Sequence, residues 1–234
     1  MENILLKYMA ERFNAVKEER TVQQKNLPFV TISREFGCPA KEVAKIVVDK
    51  LNLSNEKKQH AQPWAKLSKE ILQAAANELN IEPGRIQKIF NDEKRGTIDE
   101  ILNALSDKYY QSDRKILKTI DKVIVDFAMY GNVVIIGRGG MSVTRHLPLG
   151  IHVRLFAPLE WRLQRLIETS QCQTLDQAKT LSKKIDFKRN ALLKSKTNSE
   201  RFEDDFDVLY NCKYMNEEEI SDSIIHLLQD KKLI

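Results

Sequence analysis

The sequence predicts an α/β protein: a parallel sheet with helices packed on both of its faces. Three observations lead there. Short, continuous apolar runs, Phe29–Ile32, Val133–Ile136 and Ile151–Ala157, have the length and composition of strands covered on both sides. Segments with helical apolar spacing separate them, as the crossovers of a parallel sheet require. Turn formers stand at the junctions, among them Gly37, Pro83-Gly84, Gly131-Asn132 and Pro158.

Taken in order, Ile4, Leu5, Tyr8, Met9, Phe13 and Val16 recur near helical spacing, so residues 2–20 are expected to form an amphipathic helix. That helix would pack on its own domain or on a second subunit, which leaves a homo-oligomer open. A polar link over 21–27 leads to the strand at Phe29. Val43, Ile46, Val47 and Leu51 give the next helix its inner face. Residues 52–65 are polar, with a short strand near Trp64. Helix is expected from Ser68 to about Leu79, and more over 85–107 with a break near Gly96.

Ile116, Leu117, Ile120, Val123, Ile124 and Phe127 mark a helix over 113–130, which Gly131-Asn132 ends. The strand 133–136 follows, then the strand 151–157, with Pro158 in the first turn of a helix that runs to about Glu168. A further helix spans Leu175 to about Lys194. The last strand lies at Asp207–Tyr210, and Asn216 with Glu217, Glu218 and Glu219 starts a helix whose inner face is Ile220, Ile224, Leu227 and Leu228.

Composition narrows the function classes. The 234 residues suffice for one sizeable core, and the formal charge of +5 suits phosphate-bearing ligands without requiring them. Seven Lys or Arg stand between Lys179 and Lys196 against one acid, Asp186. Few aromatics interleave with them, which speaks against recognition of nucleic acid by stacking. The three cysteines form no CxxC pair, and with four histidines no metal-ligand spacing emerges. Such sparse cysteine fits a cytoplasmic protein. No apolar run approaches the roughly 20 residues of a membrane span, so no membrane partner is expected.

Ligands of parallel sheets sit beyond the carboxyl ends of the strands, which directs attention to residues 33–42 and 137–145. The first segment has the strand-loop-helix layout of a phosphate-binding loop, in which backbone N–H groups and a helix start hold an anion. Matched to GxxxxGK[ST] through Lys41, however, it puts Glu35 and Ala40 at the glycine positions and Glu42 at the hydroxyl position. Only the lysine agrees.

The wider pattern is more specific. "TISREFG" with "KEVA" (Thr31–Gly37, Lys41–Ala44), "GNVVIIGRGG" (Gly131–Gly140), "HVRLFAPLEWRLQRL" (His152–Leu166), "IDFKRN" (Ile185–Asn190) and "FDVLYNC" (Phe206–Cys212) occur in that order. Together they resemble the cytidylate kinase-like branch of the P-loop nucleoside monophosphate kinases, over roughly residues 29–230. The resemblance implies a three-layer P-loop NTPase-type domain over 29–234, after an N-terminal helix and link over 1–28. It also implies a helical insertion at about 66–112 and a helical lid at about 160–200.

It further implies ATP-dependent phosphoryl transfer, with Mg2+, from a nucleoside triphosphate to a nucleoside monophosphate, CMP or dCMP first among acceptors. Ser33, Arg34, Glu35, Gly37, Cys38, Ala40, Lys41 and Glu42 would form the donor loop. Gly137, Arg138 and Gly139 would meet the acceptor; Arg162 and Arg165 would open the lid and Arg189 would close on the transferring group. Guanidinium forks supply the charge neutralisation and alignment that phosphoryl transfer needs. The resemblance assigns no metal ligand; Glu42 or Asp126 is offered for magnesium. Cys38-Pro39-Ala40 replaces the family's Ser-Gly-Gly, and Pro39 removes an N–H donor. A catalytically weak or inactive nucleotide-binding module with a regulatory role is therefore the alternative. Arg162 and Arg165 also read as the wet face of a helix, and Lys41 as a surface lysine.

Overall fold

The computed structural model describes residues 27–55, 62–68, 71, 74–75, 111–197 and 199–234. The expected helix over 2–20, most of the one over 68–79 and all of the one over 85–107 lie outside them.

Five parallel strands form the sheet: β1 (Phe29–Arg34), β2 (Ala65–Leu67), β3 (Val133–Ile136), β4 (Gly150–Phe156) and β5 (Val208–Asn211), in the order β2-β3-β1-β4-β5. Between and after them come α1 (Ala40–Asn55), α2 (Gln111–Tyr130), α3 (Gly140–Thr144), α4 (Leu159–Glu168), α5 (Leu175–Lys194) and α6 (Glu217–Asp230). The boundaries expected for α2, α4 and α5 hold within two residues. β5 starts one residue later than expected, and Pro158 caps α4 from just outside its first turn. Asn216 and Glu219 form a reciprocal capping box at the start of α6.

Alternating side chains send the central strands into two cores. Val30, Ile32, Val134, Ile136, Ile151 and Val153 pack against α1 and α6 on one face. Phe29, Val133, Ile135, Ala65 and Leu67 pack against α2 on the other. Burial on both faces is why these strands read as continuous apolar runs rather than as alternating ones.

The strand order also decides where a ligand crevice opens. After β1 the chain crosses to β2 on one side; after β3 it crosses back past β1 to β4 on the other. Neighbouring strands whose connections leave in opposite directions part at their carboxyl ends. That parting lies between Arg34, which ends β1, and Gly137, which follows β3.

Candidate functional site

A cavity of about 470 Å³ opens at that point, lined by Ser33 and Arg34, by Gly137, Arg138 and Gly139, by Arg154 of β4, and by one face of α5. The α5 face is Leu181, Lys184, Ile185, Lys188, Arg189, Leu192 and Leu193. Their intervals of three and four residues are those of a single helix stripe. Helical geometry thus divides the basic run: Lys184, Lys188 and Arg189 face the cavity, while Lys179, Lys183 and Lys194 are exposed. Six Lys or Arg line the cavity with no Asp or Glu among the lining residues.

Backbone geometry is tuned to this crowding. Gly137, Arg138 and Gly139 are all left-handed, with φ of 71, 59 and 74°. A Cβ on Gly137 would come within 1.9 Å of Arg34 Nη1, so the glycine admits the arginine as well as the turn. Arg138 holds a conformation that costs a non-glycine residue on the order of 1 kcal/mol or more. Burial, then the like charges of Arg189 and Arg138, pull the Arg34 guanidinium down to about 9. It stays cationic at neutral pH.

Arg189 donates from Nη1 to Arg34 O at 3.2 Å and lies over the Phe36 ring. Burial lowers its pKa first, opposed by the Asp186 carboxylate. Arg154 is buried in β4, donates to Asn190 Oδ1 at 3.3 Å and stacks over Phe202 with its guanidinium 4.8 Å from the ring centre. Burial depresses its pKa as well. Sequence marks Lys184 and Lys188 only as part of the basic run and does not mark Arg154 at all. An arginine inside the apolar run of β4 was the available signal, since a buried charge needs a partner or a ligand.

The remaining candidates lie elsewhere. Arg162 is buried and holds the loop together. Its Nε donates to Ala157 O at 3.0 Å and pairs with Glu35 Oε2 at 3.2 Å. Its Nη1 donates to Phe36 O at 3.0 Å and to Asp186 Oδ2 at 2.6 Å. Arg165 pairs with Glu217 at 3.0 Å, outside the cavity. Lys41 and Glu42 are exposed on the first turn of α1. Ala40 is buried there without left-handed backbone, and Cys38 is half-buried.

The loop after β1 has spent several of its donors. Glu35 N bonds Leu155 O at 3.0 Å, Cys38 N bonds Glu35 O at 3.2 Å and Ala40 N bonds Cys38 O at 2.9 Å. Phe36 N donates to Asp186 Oδ1 at 2.6 Å, so a carboxylate from α5 stands where an anion would bind. Gly37, with φ of 95°, turns the chain against Arg162, whose Cβ and carbonyl oxygen a Cβ at this position would meet at 3.0 Å. The Glu35 carboxylate is neutralised by Arg162.

Among the described residues no cluster of three His, Cys, Asp or Glu is arranged to hold a metal ion. Magnesium in phosphoryl transfer keeps several waters and rests chiefly on phosphate oxygens, with one or two carboxylates. Glu42 is exposed on α1, while Glu35 and Asp186 are committed to Arg162.

A parallel sheet of this order, with helices on both faces, is consistent with an α/β fold of the P-loop NTPase type. The chain belongs to the cytidylate kinase-like family, whose model matches residues 29–211. An uncharacterized protein from Eubacterium ventriosum ATCC 27560 shares the fold at a TM-score of 0.56 and 20% identity, over 87% of this chain and 98% of that one. A shikimate kinase from Bacteroides thetaiotaomicron aligns over the same shares at a TM-score of 0.46 and 14% identity. No curated protein matches. Among the described residues no helix is long and apolar enough to cross a membrane.

Proposed function

We propose that this protein catalyses ATP-dependent phosphoryl transfer to a nucleoside monophosphate, with CMP or dCMP the first acceptor to test. The observation that carries this reading is the cavity at the ends of β1 and β3, whose lining brings Arg34, Arg138, Arg154 and Arg189 together with two lysines. Phosphoryl transfer asks a protein mainly to align two oxygens and to offset charge spreading over the transferring group. Arg34 and Arg138 would hold the acceptor's phosphate, while Arg189, Lys184 and Lys188 would meet the transferring group from α5. Magnesium, carried on the triphosphate, would neutralise the donor oxygens, with Glu42 its protein ligand. Arg162 is a positioning residue in this scheme, acting through Glu35 and Asp186. Lys41 and Arg165 take no direct part. α5 with its neighbour α4 would serve as the lid, in a soluble cytoplasmic enzyme.

One observation favours a second reading, nucleotide binding without turnover: Asp186 occupies the Phe36 N–H that a donor phosphate would use. A coupled assay of ADP release with each common nucleoside monophosphate, ATP and magnesium separates the two. Acceptor-dependent ADP formation that falls about a hundredfold in Arg138→Ala supports the kinase. Tight nucleotide binding by calorimetry with no ADP formed supports the binding module, and neither result would sink both.

A further inference from the structure

One face of the sheet carries two polar pairs on neighbouring strands, and the inner pair alone is closed. Parallel register puts Thr31 beside His152 and Ser33 beside Arg154, and residues two apart on a strand share a face. Thr31 and His152 share a 2.8 Å hydrogen bond. Ser33 and Arg154, one step nearer the carboxyl ends, both line the cavity. Ser33 is 7% exposed and Arg154 5%. Among the described residues the Ser33 hydroxyl has no hydrogen-bond partner.

Arg154 is held by its flat face and left open at its edge. Its guanidinium lies 4.8 Å from the centre of the Phe202 ring and 5.9 Å from that of Phe206. Such contacts fix a cation without using its N–H groups. One of its donors reaches Asn190 Oδ1 at 3.3 Å, long for a charged donor. Glu35, Glu203 and Asp186 raise its pKa against the stronger pull of burial, yet among the described residues none pairs with it, and Arg162 holds two of the three. A buried cation without a counter-ion is costly. An anion entering through the cavity would offset that cost. A neutral carbonyl would accept one N–H and leave the charge uncompensated.

We propose that Arg154 and Ser33 form a second oxyanion subsite in the cavity, which takes a phosphate or carboxylate of the acceptor beyond the phosphate held by Arg34 and Arg138. This rests on the function proposed above and adds the class of acceptor to it: a doubly anionic molecule, such as a nucleoside bisphosphate or a phosphorylated sugar acid. In the scheme given there, every cation of the lining has a phosphate group to meet except Arg154.

Ligand pairs that differ by one anionic group test this on the full chain, by titration calorimetry without a phosphoryl donor. CMP is compared with cytidine 3′,5′-bisphosphate, and glucose 6-phosphate with 6-phosphogluconate. The first pair adds a phosphate and the second a carboxylate, so the pair that responds identifies the second anion. In at least one pair the doubly anionic member should bind about tenfold more tightly, the scale of a hydrogen bond to a charged group. Arg154→Met keeps the packing on Phe202 and should erase that advantage, with affinity for the singly anionic member held within about twofold. Arg154→Lys should keep part of the advantage, and Ser33→Ala should cut it by about threefold. A purely structural Arg154 would instead lower all affinities alike. That result would overturn the subsite, as would the absence of any advantage in the wild type, or an advantage untouched by Ser33→Ala or by a folded Arg154→Met. The kinase reading fails separately. A preference for the doubly anionic ligand with no ADP formed removes turnover and leaves the subsite standing; ADP formed from CMP without such a preference does the reverse.

Discussion

At Arg162 and Lys41 the chemistry of the residue type and the direction of the side chain part company. Sequence offers both as cations for phosphate. Arg162 instead spends its donors on Ala157 O, Phe36 O, Glu35 and Asp186 in a buried setting, and Lys41 stands exposed. Removing one partner from a buried ion-pair network strands the others, so Arg162→Ala should cost about 3 kcal/mol or more of folding stability. Urea unfolding checks this; a midpoint unchanged from wild type would refute the structural role. Arg138→Ala should leave stability nearly intact while lowering activity about a hundredfold, and Lys41→Ala should keep activity within about threefold, the scale of an exposed charge. Gly137→Ala adds a methyl group 1.9 Å from Arg34 Nη1 in left-handed backbone, and should impair nucleotide binding by displacing that guanidinium. Residue identity was legible in the sequence at all four positions. Orientation was not, because it depends on contacts such as Glu35–Arg162 that only the assembled fold creates.

At the level of elements, β3 and α5 show what a sequence carries well and where it stops. Four consecutive apolar residues are enough to mark β3, because both faces of a central strand must be buried. Both ends of α5 were legible too, since Thr174 caps its start and its polar and apolar residues keep helical period. What α5 does to the loop was not legible. Asp186 looked like the lone acid in a basic run, whereas it bonds the Phe36 N–H and Arg162 at 2.6 Å each. It thus works as an internal anion that docks α5 onto the loop after β1. Asp186→Asn removes the charge but keeps the shape, and returns the Phe36 N–H to an incoming phosphate. Affinity for a nucleoside triphosphate should rise by about tenfold, some 1.4 kcal/mol, with a loss of stability from the weakened Arg162 network. Titration calorimetry reads the first and thermal melting the second. Unchanged or weaker affinity in a folded variant would show that the carboxylate does not compete with the ligand.

At the scale of the whole molecule, a buried histidine in the sheet should set the acid limit of the fold. His152 lies in β4, edge-on to Phe29, and shares a 2.8 Å hydrogen bond between its Nδ1 and Thr31 Oγ1. The His152 backbone N–H donates to Asp207 Oδ2 at 2.8 Å, and Asp207 also accepts from Lys231 Nζ at 3.0 Å, with Arg145 nearby at 3.8 Å. Burial pulls the imidazole down to about 4; Asp207 and Asp205 oppose the shift, and Arg145 and Lys231 add to it. The sign follows from proton counting. Between pH 6.5 and about 4 the unfolded chain binds a proton at this site while the folded one does not, so stability falls as pH falls through that window. The loss is bounded at about 3 kcal/mol, the equivalent of moving a buried imidazole from 6.5 to about 4. Asp207, itself held below the usual carboxylate range, loses its contribution only at lower pH, so the upper part of the window reports His152. Urea midpoints measured from pH 7 to pH 4.5 should decline in the wild type and flatten in His152→Gln, which cannot take up the proton. A wild-type midpoint constant over that range would mean that the imidazole titrates as freely in the sheet as in the unfolded chain.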